Sequence, residues 1–294
     1  MVNLNPNRLC WARLLFTLTK EGRQAVCVTN DLRTPALFFL LFCFFLFLPS
    51  ASAQTLRIAA ASDLQFALPD LTAQYEKQTG VKLAVTYGSS GNFFAQIQNG
   101  APFDLFLSAD NAYPRKLAEA GFADANSLVI YARGLLVIWL PPDSPLDLTA
   151  AGYRALLDPR IQKIAIANPE HAPYGHAAIV ALHEAGIYDQ LKSKLVLGDN
   201  VAQAAQFVQS GSAQAGIISR SLALSPAMIS GKRYELSSMR FPLIEQSAVI
   251  LKSSSNKQTA SAFLEFLKSP EARAIFKRYG YEAPPPAPPL GEAR

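Results

Sequence analysis

Leu56-Arg57-Ile58-Ala59-Ala60-Ala61-Ser62-Asp63 is the stretch whose reading decides the fold. An apolar run of strand length ends in a hydroxyl and an acid, and an amphipathic segment, Leu68–Thr79, follows it. That is a strand feeding the N-terminus of a helix. There the first backbone N–H groups lack intrahelical acceptors, and the positive end of the helix dipole favours an anion. The pattern recurs where Val81–Tyr87 leads through Gly88-Ser89-Ser90-Gly91-Asn92 into the helical Phe93–Gln98. The two serine-bearing turns are expected side by side at the carboxyl edge of one parallel sheet. Taken alone, serine caps on two ordinary strand–helix turns would account for the same residues.

Working outward, Phe103–Ser108 is a third apolar strand, and Ala109-Asp110-Asn111 caps a helix that stops at Gly121. Strands alternating with single helices argue a doubly wound α/β sheet. Leu128–Leu140 is a longer apolar stretch, broken by Ala132-Arg133-Gly134 and ended by Pro141-Pro142, where the chain is expected to cross into a second lobe. There Ile161–Ala167 runs through Asn168-Pro169-Glu170-His171-Ala172-Pro173-Tyr174-Gly175 into the helix His176–Glu184. Leu195–Leu197 follows as a short strand, Asp199-Asn200 caps the helix Val201–Gln209, and Ala215–Ser219 is a further strand. Phe241–Leu251 reads as the return strand, with Thr259–Leu267 and Ala272–Tyr279 as closing helices. The fold class is therefore α/β, two doubly wound lobes with a ligand cleft between them. Residues 54–140 and 241–282 form the first lobe, 141–240 the inserted second lobe, and 283–294 a Pro-rich tail. Ser62 and Ser90 face the cleft from one lobe, and Tyr174, Val201 and Ser219 from turns of the other.

Residues 1–53 read as a secretory signal peptide. Arg8, Arg13, Lys20, Arg23 and Arg33 precede the 13-residue apolar run Ala36–Leu48, and Ala51-Ser52-Ala53 supplies a small-residue cleavage pattern. An uncleaved anchor would need about 20 apolar residues. Export to the periplasm is the expectation. All three cysteines, Cys10, Cys27 and Cys43, lie in this leader, so the remaining chain depends on a hydrophobic core rather than disulfides. The leader also holds five Lys/Arg and two Asp/Glu, leaving 22 and 20 beyond it, a net +2 that gives no case for nucleic acid.

The runs A-A-A-S-D, Y-G-S-S-G, G-A-P-F-D-L-F-L-S-A-D, A-N-P-E-H-A-P-Y-G and F-K-R-Y-G, in that order over Leu56 to Tyr281, resemble the periplasmic molybdate-binding proteins of ABC transporters. The resemblance implies a class II periplasmic binding protein fold. Its ligand would be a tetrahedral oxyanion, molybdate or tungstate, with no cofactor. A monomer would deliver that ligand to a membrane permease driven by a cytoplasmic ATPase. Carried over by motif, the oxyanion contacts fall on Ser62, Ser90, Tyr174 and Val201. The last position departs from the pattern. Many members carry a tyrosine in a G-I-V-Y run, but this chain has Gly216-Ile217-Ile218-Ser219, with the Tyr174 hydroxyl as a candidate substitute.

The chemistry agrees with an oxyanion. None of these positions is Lys or Arg, and a dianion enclosed by N–H and O–H dipoles at helix starts needs no counter-ion. A donor-only site disfavours phosphate, which keeps a proton at neutral pH. Sulfate remains as the ligand of a broader carrier, separated from molybdate and tungstate by cavity size. A secreted hydrolase is the rival class. Gly88-Ser89-Ser90-Gly91 is one residue short of a nucleophile elbow, and His183-Glu184 lacks the second histidine of a zinc motif because position 187 is Ile187. No Walker A or dinucleotide-binding glycine pattern occurs. Asp63 and Asp110 read as helix N-caps, and Phe93, Phe94, Phe103 and Phe106 as core. The lobes are expected to close by hinge bending near Leu140 and Phe241.

Overall fold

The computed structural model describes residues 55–236 and 243–284. The leader, Phe241 and most of the Pro-rich tail lie outside the described residues.

The first sheet has the order β2-β1-β3-β10-β4. Its parallel part comprises β1 (Leu56–Ala61), β2 (Leu83–Gly88) and β3 (Leu105–Ser108), while β10 (Ile244–Ile250) runs antiparallel to both β3 and β4 (Val129–Gly134). Side-chain parity divides its strands between two cores. Leu56, Ile58 and Ala60 of β1, Leu105 and Leu107 of β3, and Ala248 and Ile250 of β10 point to one face. There they meet α1 (Ala67–Thr79), α7 (Lys257–Leu267) and α8 (Pro270–Arg278). Ala59, Phe106 and Val249 point to the other face, against Phe93 and Ile97 of α2 (Ser90–Gln98) and Leu117 of α3 (Ala112–Glu119). The phenylalanines serve as core: Phe93 meets Phe103 edge-on at 5.5 Å. Gly121, at φ 83, takes the left-handed conformation that lets the chain turn after α3.

The second sheet has the order β7-β6-β8-β5-β9. β6 (Ile164–Ala167) lies parallel to β7 (Leu195–Gly198) and β8 (Ala215–Ser219). β5 (Leu136–Leu140) lies antiparallel to β8 and to β9 (Lys232–Glu235). The helices α4 (Pro173–Glu184) and α5 (Val201–Gln209) pack on it around one continuous apolar core.

The expected crossing at Leu140–Pro141 is corrected here. Leu136–Leu140 is buried throughout and belongs to the second sheet, so the chain crosses at Leu135, between Gly134 and Leu136. Pro141 ends a strand that is already inside the second lobe. One apolar stretch is thus two strands in two sheets. Leu135 marks the join, its carbonyl accepting the Arg220 N–H at 2.8 Å.

Candidate functional site

Each lobe presents the carboxyl ends of its parallel strands to the same cleft, and every such strand leads into a helix. β1 passes at Ser62 into one 3-10 turn, Ser62–Gln65, ahead of α1. β2 leads through Ser89 into α2, whose first residue is Ser90. From the second lobe, β6 leads to α4 and β7 leads to α5. Ala61, Ser62, Asp63, Gly88, Ser89, Ser90 and Ala109 of the first lobe enclose one small cavity with Ala172, Pro173, Tyr174, Asn200 and Val201 of the second. Its free space is about 10 Å³, room for the centre of roughly one water-sized sphere. No Lys or Arg is among the described residues that line it.

The donors are set up locally. Helix α4 begins with Pro173, which has no N–H and is pre-shaped for the first helical position. Its N-cap, Ala172, offers no side-chain acceptor, so the N–H groups of Tyr174 and Gly175 have no partner in their own helix. The helix start sits hard on the end of β6: a Cβ on Gly175 would lie 2.2 Å from the Ala167 carbonyl oxygen. In α5 the Asn200 carboxamide oxygen accepts from Ala202 (3.0 Å) and Gln203 (3.1 Å), leaving the Val201 N–H without an intrahelical acceptor. Both helix dipoles add positive potential to the cleft.

The two serines are oriented by what they accept. Ser90 Oγ takes the Ala109 N–H at 3.0 Å, and Ser62 Oγ takes the Ala202 N–H at 3.4 Å across the cleft. Both side chains are buried. With an N–H already on the oxygen, each hydroxyl keeps its proton to donate. Ser62, Ser90, Tyr174 and Val201 are therefore brought together, as the sequence led one to expect.

Ser219 is not. Its hydroxyl accepts from the Leu222 N–H at 3.4 Å and shares a 3.0 Å hydrogen bond with Ser221, capping the short helix α6 (Arg220–Ala223) away from the cavity. The Tyr174 hydroxyl does not replace the family phenol either. It donates to Asp63 Oδ2 at 3.2 Å, so only the main chain of Tyr174 is free to serve the cavity.

Asp63 is likewise corrected. Instead of capping a helix, it is a buried carboxylate. Its Oδ2 accepts from Tyr281 (2.8 Å), Gln246 Nε2 (2.8 Å) and Tyr174, and Oδ1 has no partner. Burial raises its pKa from 3.8 to about 6, against the lowering effect of those donors. The same burial, with the nearby Asp63 charge, holds the Tyr174 and Tyr281 phenols well above their usual range. Asp110 does cap, accepting the Tyr113 N–H at 3.1 Å.

Among the lining residues that sequence reasoning did not single out as contacts, Asn200 and Ser89 have evident roles. Asn200 holds the first turn of α5, and Ser89 joins the lobes. The Ser89 hydroxyl donates to the His171 carbonyl at 2.5 Å, and the Gly91 N–H donates to the same oxygen at 2.8 Å. A Cβ on Gly91 would lie 2.6 Å from that oxygen and 2.6 Å from the Tyr113 hydroxyl, so glycine is required for this approach.

Two α/β lobes of mixed five-stranded sheets around a donor-lined cleft make this a solute-binding protein of the class II periplasmic binding fold. Residues 56–282 match the model of the bacterial extracellular solute-binding proteins, and the chain belongs to that family. It is 37% identical over 233 residues to the molybdate-binding protein of Azotobacter vinelandii, covering 79% of this chain and 91% of the relative. To that of Rhodobacter capsulatus it is 36% identical, covering 80% and 90%. The solved periplasmic molybdate-binding protein of Azotobacter vinelandii superposes with a TM-score of 0.73 at 36% identity, over 78% of this chain and 99% of that one.

Proposed function

We propose that this chain captures a tetrahedral oxyanion, molybdate or tungstate, between its lobes in the periplasm and delivers it as a monomer to the permease of an ABC transporter. The observation that carries the reading is the donor set. Ser62 and Ser90 hydroxyls that each accept an N–H and keep a proton to donate, and Tyr174 and Val201 N–H groups at two helix starts, converge on one small cavity that no Lys or Arg lines among the described residues. Charge-assisted hydrogen bonds to such donors are worth roughly 1.5–3 kcal/mol each, enough for a few of them to hold a dianion without a counter-ion. Relatives with 36–37% identity that carry the name molybdate-binding protein support the choice of anion. The signal-peptide reading of residues 1–53 supports the compartment. Among the described residues no helix is long and apolar enough to cross a membrane.

The test is a thermal melt of the purified protein with molybdate, tungstate, sulfate and phosphate in turn. Ligand at about a thousand times its dissociation constant adds about 4 kcal/mol. For a chain of this size that is a shift of about ten degrees. Shifts with molybdate and tungstate alone are expected. A shift with sulfate as well would make the protein a broader oxyanion carrier, and no shift with any of the four would overturn the reading.

A further inference from the structure

Tyr174 touches two places that matter for capture. Its main chain stands at the start of α4 on the wall of the cavity, and its side chain, 2% exposed, crosses into the first lobe. There the hydroxyl donates to Asp63 Oδ2 at 3.2 Å and accepts from Gln246 Nε2 at 3.3 Å. It lies against the strand ends at which the chain changes lobes. Gly134 at the end of β4 pairs in register with Ile244 at the start of β10, and a Cβ on Gly134 would fall 2.1 Å from the Tyr174 oxygen. Asp63 ties this point to the ligand turn, being the residue after Ser62. Its carbonyl accepts from Tyr281 (2.8 Å) in the first lobe and from Ser221 (2.9 Å) in the second.

Resting on the oxyanion reading of the cavity, we propose that Tyr174 is a positioning residue that couples anion capture to closure of the hinge. An anion pulling on the Tyr174 N–H draws α4 toward the first lobe, and the phenol seats on Asp63 beside the Gly134–Ile244 pair only when α4 has arrived. The bare glycine at 134 is the socket for that seat. Its φ is outside the left-handed region, so what excludes a side chain there is the phenol and not the backbone.

The experiment measures capture and release of molybdate by stopped flow for the purified protein and three variants. Tyr174→Phe keeps the main-chain donor and the ring, and leaves Asp63 with Gln246 and Tyr281. It is expected to release molybdate about tenfold faster at an unchanged capture rate. Gly134→Ala is expected to weaken binding by collision with the phenol. The combined variant is expected to bind more tightly than Gly134→Ala alone, because the next atoms met, Gln246 Nε2 and Ile244 Cγ2, are 3.0 and 3.1 Å away, within reach of a small shift. A residue that merely stabilised the fold would lower the melting temperature without this reversal. Release by Tyr174→Phe at the parent rate, or simple addition of the two losses, would overturn the coupling while leaving the oxyanion reading intact. Should Tyr174→Phe not fold, parent-like binding by Gly134→Ala would overturn it alone. No binding of molybdate by the parent protein would overturn the reading of the site, and the coupling with it.

Discussion

Replacing Asp63 by asparagine should remove a pH dependence of stability that the fold builds into this residue. Asp63 has no exposure to solvent, and among the described residues no cation pairs with its carboxylate. Burial raises its pKa from 3.8 to about 6. The folded state therefore binds the proton more tightly than the unfolded chain. Below about pH 4 both states hold it, and the carboxyl costs nothing extra. Between pH 4 and 6 the unfolded chain loses the proton first, so stability falls as pH rises and then levels off above about 6. A gap of about two pH units corresponds to about 3 kcal/mol. Urea unfolding without ligand, at half-unit steps from pH 4 to 7, measures it for the parent and for Asp63→Asn. The difference between the two curves isolates this residue from other carboxyls such as Asp110, which burial raises too. The advantage of the parent over the variant should shrink by about 3 kcal/mol across the window. A constant difference, or one that grows in favour of the parent as pH rises, would refute the argument that Asp63 is a desolvated acid.

Ser90→Ala should weaken molybdate binding at least tenfold in titration calorimetry, the loss of one charge-assisted donor, and should lower the unliganded melting temperature by a few degrees, because the buried Ala109 N–H loses its acceptor, with the circular dichroism spectrum intact. Ser219→Ala should leave the affinity unchanged, since that hydroxyl is engaged with Ser221 and Leu222; a comparable loss would return Ser219 to the site. Gly91→Ala should abolish tight binding with the circular dichroism spectrum intact, because its Cβ would meet the His171 carbonyl at 2.6 Å from the opposite lobe. Parent-like affinity would show that the lobes need not approach this closely at Gly91.

Much of the architecture was legible because it rests on local signals. The strand Ala215–Ser219 and the helix Val201–Gln209 stand where apolar runs and an Asn200 cap place them. That Ser62, Ser90, Tyr174 and Val201 line one cavity followed from the same logic, since a helix start exposes N–H groups whatever packs around it. What escaped was tertiary. Leu128–Leu140 is apolar on both sides of Ala132-Arg133-Gly134, and only pairing partners reveal that its two halves enter different sheets. Asp63 has the spacing of an N-cap, and its burial under Tyr174, Gln246 and Tyr281 depends on residues 111 to 218 positions away. Ser219 is the last residue of a strand that leads into a helix, but its hydroxyl is captured by Ser221 two residues on, a competition that spacing does not rank.

The proposed site would hold its doubly charged anion beside an acid, and the same placements say how. Ser62 and Asp63 are adjacent but do opposite things: the serine keeps a proton to give, while the carboxylate collects donors from both lobes. Tyr174, Gln246 and Tyr281 each donate to Asp63 Oδ2. A pKa raised to about 6 further means that a second negative charge nearby favours the neutral acid at little expense. The Ala109 N–H on Ser90 Oγ, and the Ala202 N–H that Ser62 Oγ shares with Asn200 Oδ1, leave both serine protons free to point at an anion. An unprotonated anion would take these donors, while the Ser89 and Gly91 hydrogen bonds to the His171 carbonyl fix how closely the two lobes approach beside it.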